Sequence, residues 1–132
     1  MKFKNFTIIT LIFVIPLIAY MVLSGPDASY ANKTTGKNKP QIIKFTSLMC
    51  LDCKKLGKVM NEVYPKYSEK IMLVEVQVQN NDDYTKKQIE KYNVNLVPTL
   101  IILDSSGKKI NKIEGFIEKE KLDKLMKDLT NE

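Results

Sequence analysis

From Gln41 onward the apolar positions fall in blocks whose period changes along the chain. Gln41–Ser47 is a near-continuous apolar run of strand length. Leu51–Tyr64 then sets apolar residues at 51, 56, 59, 60, 63 and 64, one face of a helix, and Pro65 ends or kinks it. Ile71–Gln79 reads as a second strand. Asp82 and Asp83 offer an N-cap for a short helix over Tyr84–Tyr92. Thr99–Asp104 is a third strand, Ser105-Ser106-Gly107 a turn and Lys109–Ile113 a fourth strand, broken by Gly115. Glu118–Leu129 closes the chain as an amphipathic helix with Leu122, Leu125, Met126 and Leu129 on one face. The order β-α-β-α-β-β-α predicts an α/β fold on a four-stranded mixed sheet. The first two strands, joined by a helix of crossover length, are expected parallel. The last two are expected to form an antiparallel hairpin. No internal repeat is present.

Residues 1–31 break this pattern. Lys2 and Lys4 make a short positive start, Asn5–Pro26 carries no charge, and Phe6–Leu23 is almost wholly apolar. About 20 apolar residues span a bilayer, whereas a secretory core is usually about 7–15, and Phe6–Leu23 lies between. Ser29-Tyr30-Ala31 provides the small residues that a signal peptidase needs. Two outcomes stay open: an uncleaved hydrophobic anchor helix, or a signal peptide cut near Ala31. No cysteine lies close enough for a lipoprotein anchor. Charge on the short N-terminal side sends the rest of the chain to the outer face of a membrane. Asp27–Pro40 is polar and rich in Ser, Thr, Asn, Gly and Lys, the composition of a linker. The expected division is a hydrophobic segment over 1–31, a linker over 32–40 and a folded domain over 41–132.

Charge narrows the function. The 132 residues carry 21 basic side chains, every one a lysine, against 15 acidic ones, a net +6. From Lys54 onward the lysines are interleaved with Asp and Glu. Without arginine or tryptophan the chain lacks phosphate forks and base-stacking platforms, so no nucleic-acid partner is expected.

Both cysteines stand where the first strand gives way to the first helix, in Cys50-Leu51-Asp52-Cys53. A helix N-terminus stabilises negative charge, and a thiol is nucleophilic only as thiolate. A strand–Cys-x-x-Cys–helix unit reads as a dithiol/disulfide redox centre that needs no further cofactor. Other readings compete. A zinc site needs about four ligands, and the chain has no His and no third Cys, so no metal is expected. A purely structural disulfide would close too small a loop to stabilise much. Two inert buried thiols are the remaining alternative. Outside the cytoplasm disulfides persist. A dithiol there, alone in its chain, has to act on other proteins.

These residues resemble the thioredoxin family. The resemblance rests on Cys50-Leu51-Asp52-Cys53, on Val97-Pro98-Thr99 opening the third strand, and on Gly115 after the fourth, and it covers residues 41–129. It implies a minimal thioredoxin fold. Cys50 would be the attacking thiolate and Cys53 the resolving thiol. Pro98 would be a cis proline, and Val97 would offer backbone hydrogen bonds to an extended substrate segment. Met49 and Leu51 would border that segment. The chain also departs from the family. Met49 replaces the usual tryptophan, Leu51-Asp52 replaces Gly-Pro, and the first strand and helix of the family are missing. Lys44 takes the place of a buried carboxylate six residues before the first cysteine, and Glu75 the place of its partner lysine. The pair reads as exchanged: Glu75 is then the candidate proton acceptor for Cys53. The alternative is that both side chains reach solvent at a strand end.

The resulting expectation is an extracytoplasmic thiol–disulfide oxidoreductase acting on protein substrates. Asp52 puts a negative charge beside the attacking sulfur, which favours the reducing over the strongly oxidising direction. Such an enzyme draws electrons from a membrane thiol-electron carrier, as the resemblance implies. The alternative of another class is a binding module that holds an exported peptide, its dithiol incidental.

Overall fold

The structure is a computed structural model and describes residues 12–16, 18 and 38–131. The chain divides into two compact units, Met1–Thr34 and Thr35–Glu132. Of the first unit, residues 12–16 and 18 are helical. Among the described residues no helix is long and apolar enough to cross a membrane. Most of the expected Phe6–Leu23 anchor, the cleavage position after Ala31 and the linker up to residue 37 lie outside the described residues.

The second unit runs β1 (Gln41–Thr46), α1 (Leu51–Val63), β2 (Met72–Gln77), α2 (Asp83–Tyr92), β3 (Thr99–Leu103), β4 (Lys109–Glu114) and α3 (Lys119–Leu129). This is the expected α/β order on a four-stranded mixed sheet, arranged β2-β1-β3-β4. β1 is parallel to β2 and antiparallel to β3, and β3 is antiparallel to β4. β1 and β3 are therefore central. Helices cover both faces, and all five residues of β3 are buried, which explains its unbroken Thr-Leu-Ile-Ile-Leu run.

Alternation along the central strands splits the core in two. Ile42, Leu100 and Ile102 pack against Leu56, Met60 and Val63 of α1 and Leu122, Met126 and Leu129 of α3. On the other face Ile43, Phe45, Ile101 and Leu103 pack with Val76 and with Tyr92 of α2. Phe45 and Tyr92 meet edge to face, their ring centroids 6.3 Å apart. Each fully buried Ile, Leu, Phe or Met contributes about 1.5–3 kcal/mol relative to exposure, so these two clusters fix the sheet between its helices.

The ends follow local chemistry. Pro65 sits in a single 3-10 turn, Tyr64–Lys66, that closes α1. Asp82 alone is the N-cap of α2; Asp83 is its first helical residue. Asn93, at φ 50°, ends that helix in the left-handed region. β2 is shorter than its apolar pattern. Ile71 instead hydrogen-bonds Tyr67 O, and Asn80 N turns back to Gln77 O. Leu51 lies off the buried face of α1 and is exposed.

Candidate active site

β1 and α1 are joined by Ser47-Leu48-Met49-Cys50, and the turn is closed by Cys50 N donating to Ser47 O at 3.3 Å. Cys50 is the N-cap of α1, with extended backbone (φ −91°, ψ 118°). Its Sγ accepts a hydrogen bond from Cys53 N at 3.1 Å. Sulfur thus does what a serine or aspartate oxygen does at other helix starts, meeting an orphan N–H at the positive end of the helix. The same Sγ donates to Val97 O at 3.7 Å. Both cysteines are free thiols; Cys50 is partly exposed and Cys53 is buried, with 4% of its surface accessible. Burial pushes the Cys53 thiol above its ordinary range, and its hydrogen bond with Cys50 adds to that. Hydrogen bonds from the Ser47 backbone and the Thr46 hydroxyl work the other way. Cys53 is the protonated, sheltered thiol of the pair, and Cys50 the one that solvent reaches.

Across from the dithiol runs Leu96-Val97-Pro98-Thr99. The Val97–Pro98 peptide bond is cis. The fully buried Thr99 donates its hydroxyl to Leu96 O at 2.7 Å. Gly115, at φ 88°, donates its N–H to Pro98 O at 2.8 Å. That left-handed φ suits glycine and carries the chain out of β4 to meet the loop. The loop is thereby tied to the ends of β3 and β4.

Around the sulfur the surface is apolar. Met49 is 93% exposed, and Leu48 and Leu51 are also exposed. Leu96 and Phe116 are exposed in the segments flanking Pro98 and Gly115. Asp52 sits in the first turn of α1 and pairs with Lys55 at 3.2 Å, both open to solvent. Among the described residues no group of three or more His, Cys, Asp or Glu is placed to hold a metal ion.

Lys44 and Glu75 are register partners across the parallel β1–β2 pair, and Lys44 Nζ lies 2.7 Å from Glu75 Oε2. They are not equally covered. The Lys44 side chain is 9% exposed and that of Glu75 44%. β2 is an edge strand, so its carboxylate leans into solvent, where Gln77 Nε2 donates to Oε1 at 3.1 Å and Gln79 Nε2 to Gln77 Oε1 at 2.8 Å. Neither Lys44 nor Glu75 is among the groups that shift the Cys53 thiol. Cys50, Cys53, Val97 and Pro98 therefore come together with Met49 and Leu51 at their rim. Lys44 and Glu75 form a separate pair. Thr46 and Ser47 were not read from the sequence. Alternation from Ile42 and Lys44 puts Thr46 on the α1 face, and that signal could have found it.

The model of the thioredoxin-like domain family matches residues 29–130. Among curated relatives, thiol-disulfide oxidoreductase ResA of Bacillus thuringiensis subsp. konkukian is 27% identical over 113 residues. That match covers 71% of this chain and 65% of the relative. ResA of Bacillus anthracis is 29% identical with the same coverage. The chain thus spans 65% of the length of these relatives. A thioredoxin of Pyropia yezoensis is 27% identical over 96 residues, covering 73% of this chain and 85% of that protein. Of solved structures, malaria-parasite thioredoxin-2 superposes with a TM-score of 0.64 at 23% identity, covering 74% of this chain and 89% of that one. The germline thioredoxin Deadhead of Drosophila melanogaster does so with a TM-score of 0.60 at 23% identity, covering 70% and 82%. At such identities the solved structures speak for the fold.

Proposed function

The chain belongs to the thioredoxin-like domain family, and from that premise we propose that it is a thiol–disulfide oxidoreductase that reduces disulfides of protein clients. One observation carries the reading. A partly exposed Cys50 Sγ sits at the N-terminus of α1, accepts from Cys53 N at 3.1 Å and faces the Val97–Pro98 loop at 3.7 Å.

Cys50, as thiolate, attacks one sulfur of a client disulfide. The client S–S bond breaks, its leaving sulfur takes a proton, and Cys50 is joined to the client. Cys53 then attacks the Cys50 sulfur, which releases the second client sulfur and leaves a Cys50–Cys53 disulfide. The client gains two electrons and two protons, and the dithiol loses them. Val97 offers backbone hydrogen bonds to an extended client strand, Pro98 shapes that loop, and Met49 and Leu51 supply apolar contact. In this reading Glu75, held by Lys44, accepts by way of solvent the proton that Cys53 releases. Glu75→Gln should then slow exchange between pH 6 and 9, and an unchanged profile removes Glu75 from the mechanism.

The site is proposed to work outside the cytoplasm, with Phe6–Leu23 as anchor or cleaved leader and a membrane thiol-electron carrier restoring the dithiol. The support is the charge pattern, with Lys2 and Lys4 ahead of the uncharged Asn5–Pro26. Protease added to intact protoplasts should digest the domain; protection until lysis contradicts the placement. The activity itself is tested by insulin-disulfide reduction with dithiothreitol as electron source. Wild type should accelerate it and Cys50→Ser should not. Equal rates for the two support instead a client-holding module with an incidental dithiol.

A further inference from the structure

Sulfur is distributed unevenly over this domain. Met60 and Met126 lie in the core at 1% and 0% exposure, and Met72 is half-buried at the start of β2. Met49 is 93% exposed, directly before Cys50, between the exposed Leu48 and the far side of the dithiol where Leu51 is exposed. A thioether in that position is reached by any oxidant that reaches the site. Once Cys50 and Cys53 are joined as a disulfide, Met49 is the reducing group left open there.

We infer that Met49 is a site of reversible oxidation that controls how the domain engages its clients. The oxidant class is a two-electron acceptor that delivers oxygen or its halogen equivalent, such as hypochlorous acid or an N-chloramine. With hypochlorous acid, an S=O bond forms on the thioether and the O–Cl bond breaks. Sulfur loses two electrons, chlorine takes them, and chloride and a proton leave. The product is a polar sulfoxide where an apolar side chain stood, and thiol-dependent sulfoxide reductases reverse it. The chemistry leaves both cysteines as they were. Its effect therefore falls on contact with the client and not on sulfur exchange.

The inference rests on the proposed disulfide reductase, since it concerns how that site holds a client. A sulfoxide forfeits part of the apolar burial that a Met thioether gains against a client. Losing part of that at a rim contact corresponds to weaker client binding by about five-fold.

The test uses the full chain in its Cys50–Cys53 disulfide form, treated with one equivalent of hypochlorous acid at neutral pH. Dithiothreitol then restores the dithiol and leaves the sulfoxide in place. Peptide mass spectrometry locates the added oxygen, and insulin reduction gives KM and kcat, each protein being compared with its own untreated sample. The expected result is oxygen on Met49 ahead of Met60, Met72 and Met126, KM raised about five-fold with kcat within two-fold, and recovery after treatment with methionine sulfoxide reductase. Treated Met49→Leu should keep its own untreated KM. Oxygen arriving first on another described methionine overturns the inference. So does an unmoved KM with Met49 fully oxidised, or an equal loss in Met49→Leu. If untreated protein does not reduce insulin at all, the underlying function fails; if it does and only the KM shift is missing, this inference alone fails.

Discussion

Removing the acid of the Lys44–Glu75 pair should cost far more stability than removing the base. Lys44 is 9% exposed in the central strand β1, Glu75 is 44% exposed on the edge strand β2, and 2.7 Å separates their charged atoms. Glu75→Ala leaves an ammonium group covered and without its counter-ion. Exposed pairs contribute about 0.2–1 kcal/mol, and breaking a fully buried pair costs about 3–5 kcal/mol. With one partner covered and the other half in water, we place Glu75→Ala between these, at about 2 kcal/mol. Lys44→Met keeps the volume, removes the charge from the covered side and leaves Glu75 to water, so its cost should be under about 0.5 kcal/mol or favourable. The double variant should then recover most of what Glu75→Ala loses, a coupling of about 1.5 kcal/mol. For a domain of this size 2 kcal/mol is a fall in Tm of about 10 °C. Urea and thermal unfolding followed by far-UV circular dichroism at pH 7 measure all four proteins. Equal costs for the two single variants, adding without coupling in the double, refute this reasoning and reduce the pair to an ordinary surface bridge.

Iodoacetamide at pH 7 should modify Cys50 at least about ten-fold faster than Cys53, because Cys53 is buried and its thiol is pushed up; equal rates contradict the assignment of attacker and resolver. Gly57 stands inside α1, and a Cβ built there meets nothing within 4 Å, so Gly57→Ala should stabilise by about 0.5–1 kcal/mol in the same unfolding assay. A loss of stability would reveal a contact not visible in the fold. The Asp82 carboxylate accepts from the N–H and hydroxyl of Thr85, both at 2.9 Å, which holds it below its ordinary 3.8. A depressed folded value means that its stabilisation is full above pH 4 and fades as pH falls through the folded value. Asp82→Ala should therefore lower Tm by about 5 °C at pH 7 and by progressively less as the pH is taken below 4, and a pH-independent difference would contradict the capping role.

The element order was legible because each segment's period agreed with its neighbours, and the parallel pairing of β1 with β2 followed from one crossover helix, whereas the register that sets Lys44 opposite Glu75 came through the family resemblance. The unequal burial of that pair was not legible. Val74 and Val76 flank Glu75 and suggest a covered strand, but sheet order decides cover, and β2 ends up at an edge. Leu51 was misplaced on the helix face: it stands five residues before Leu56 and nine before Met60, which turns it to the opposite side of α1, where it is exposed beside Cys50. At the ends of β2, Ile71 and Asn80 bond to Tyr67 and Gln77 instead of continuing the strand, a choice set by backbone partners that side-chain patterning does not encode. The dithiol was legible since strand, Cys-x-x-Cys and helix are contiguous. Its contact with Val97, at a separation of 47 residues, came only through the family resemblance.

The most direct measurement of the central claim is a trap. Cys53→Ser keeps the attacking thiol and removes the one that resolves. Mixed with oxidised insulin and quenched with acid, it should accumulate a mixed disulfide that mass spectrometry places on Cys50 and that dithiothreitol releases. Cys50→Ser, treated identically, should stay free. A mixed disulfide that forms through Cys53 in place of Cys50, or none from Cys53→Ser while wild type reduces insulin, would contradict attack by Cys50 at the head of α1.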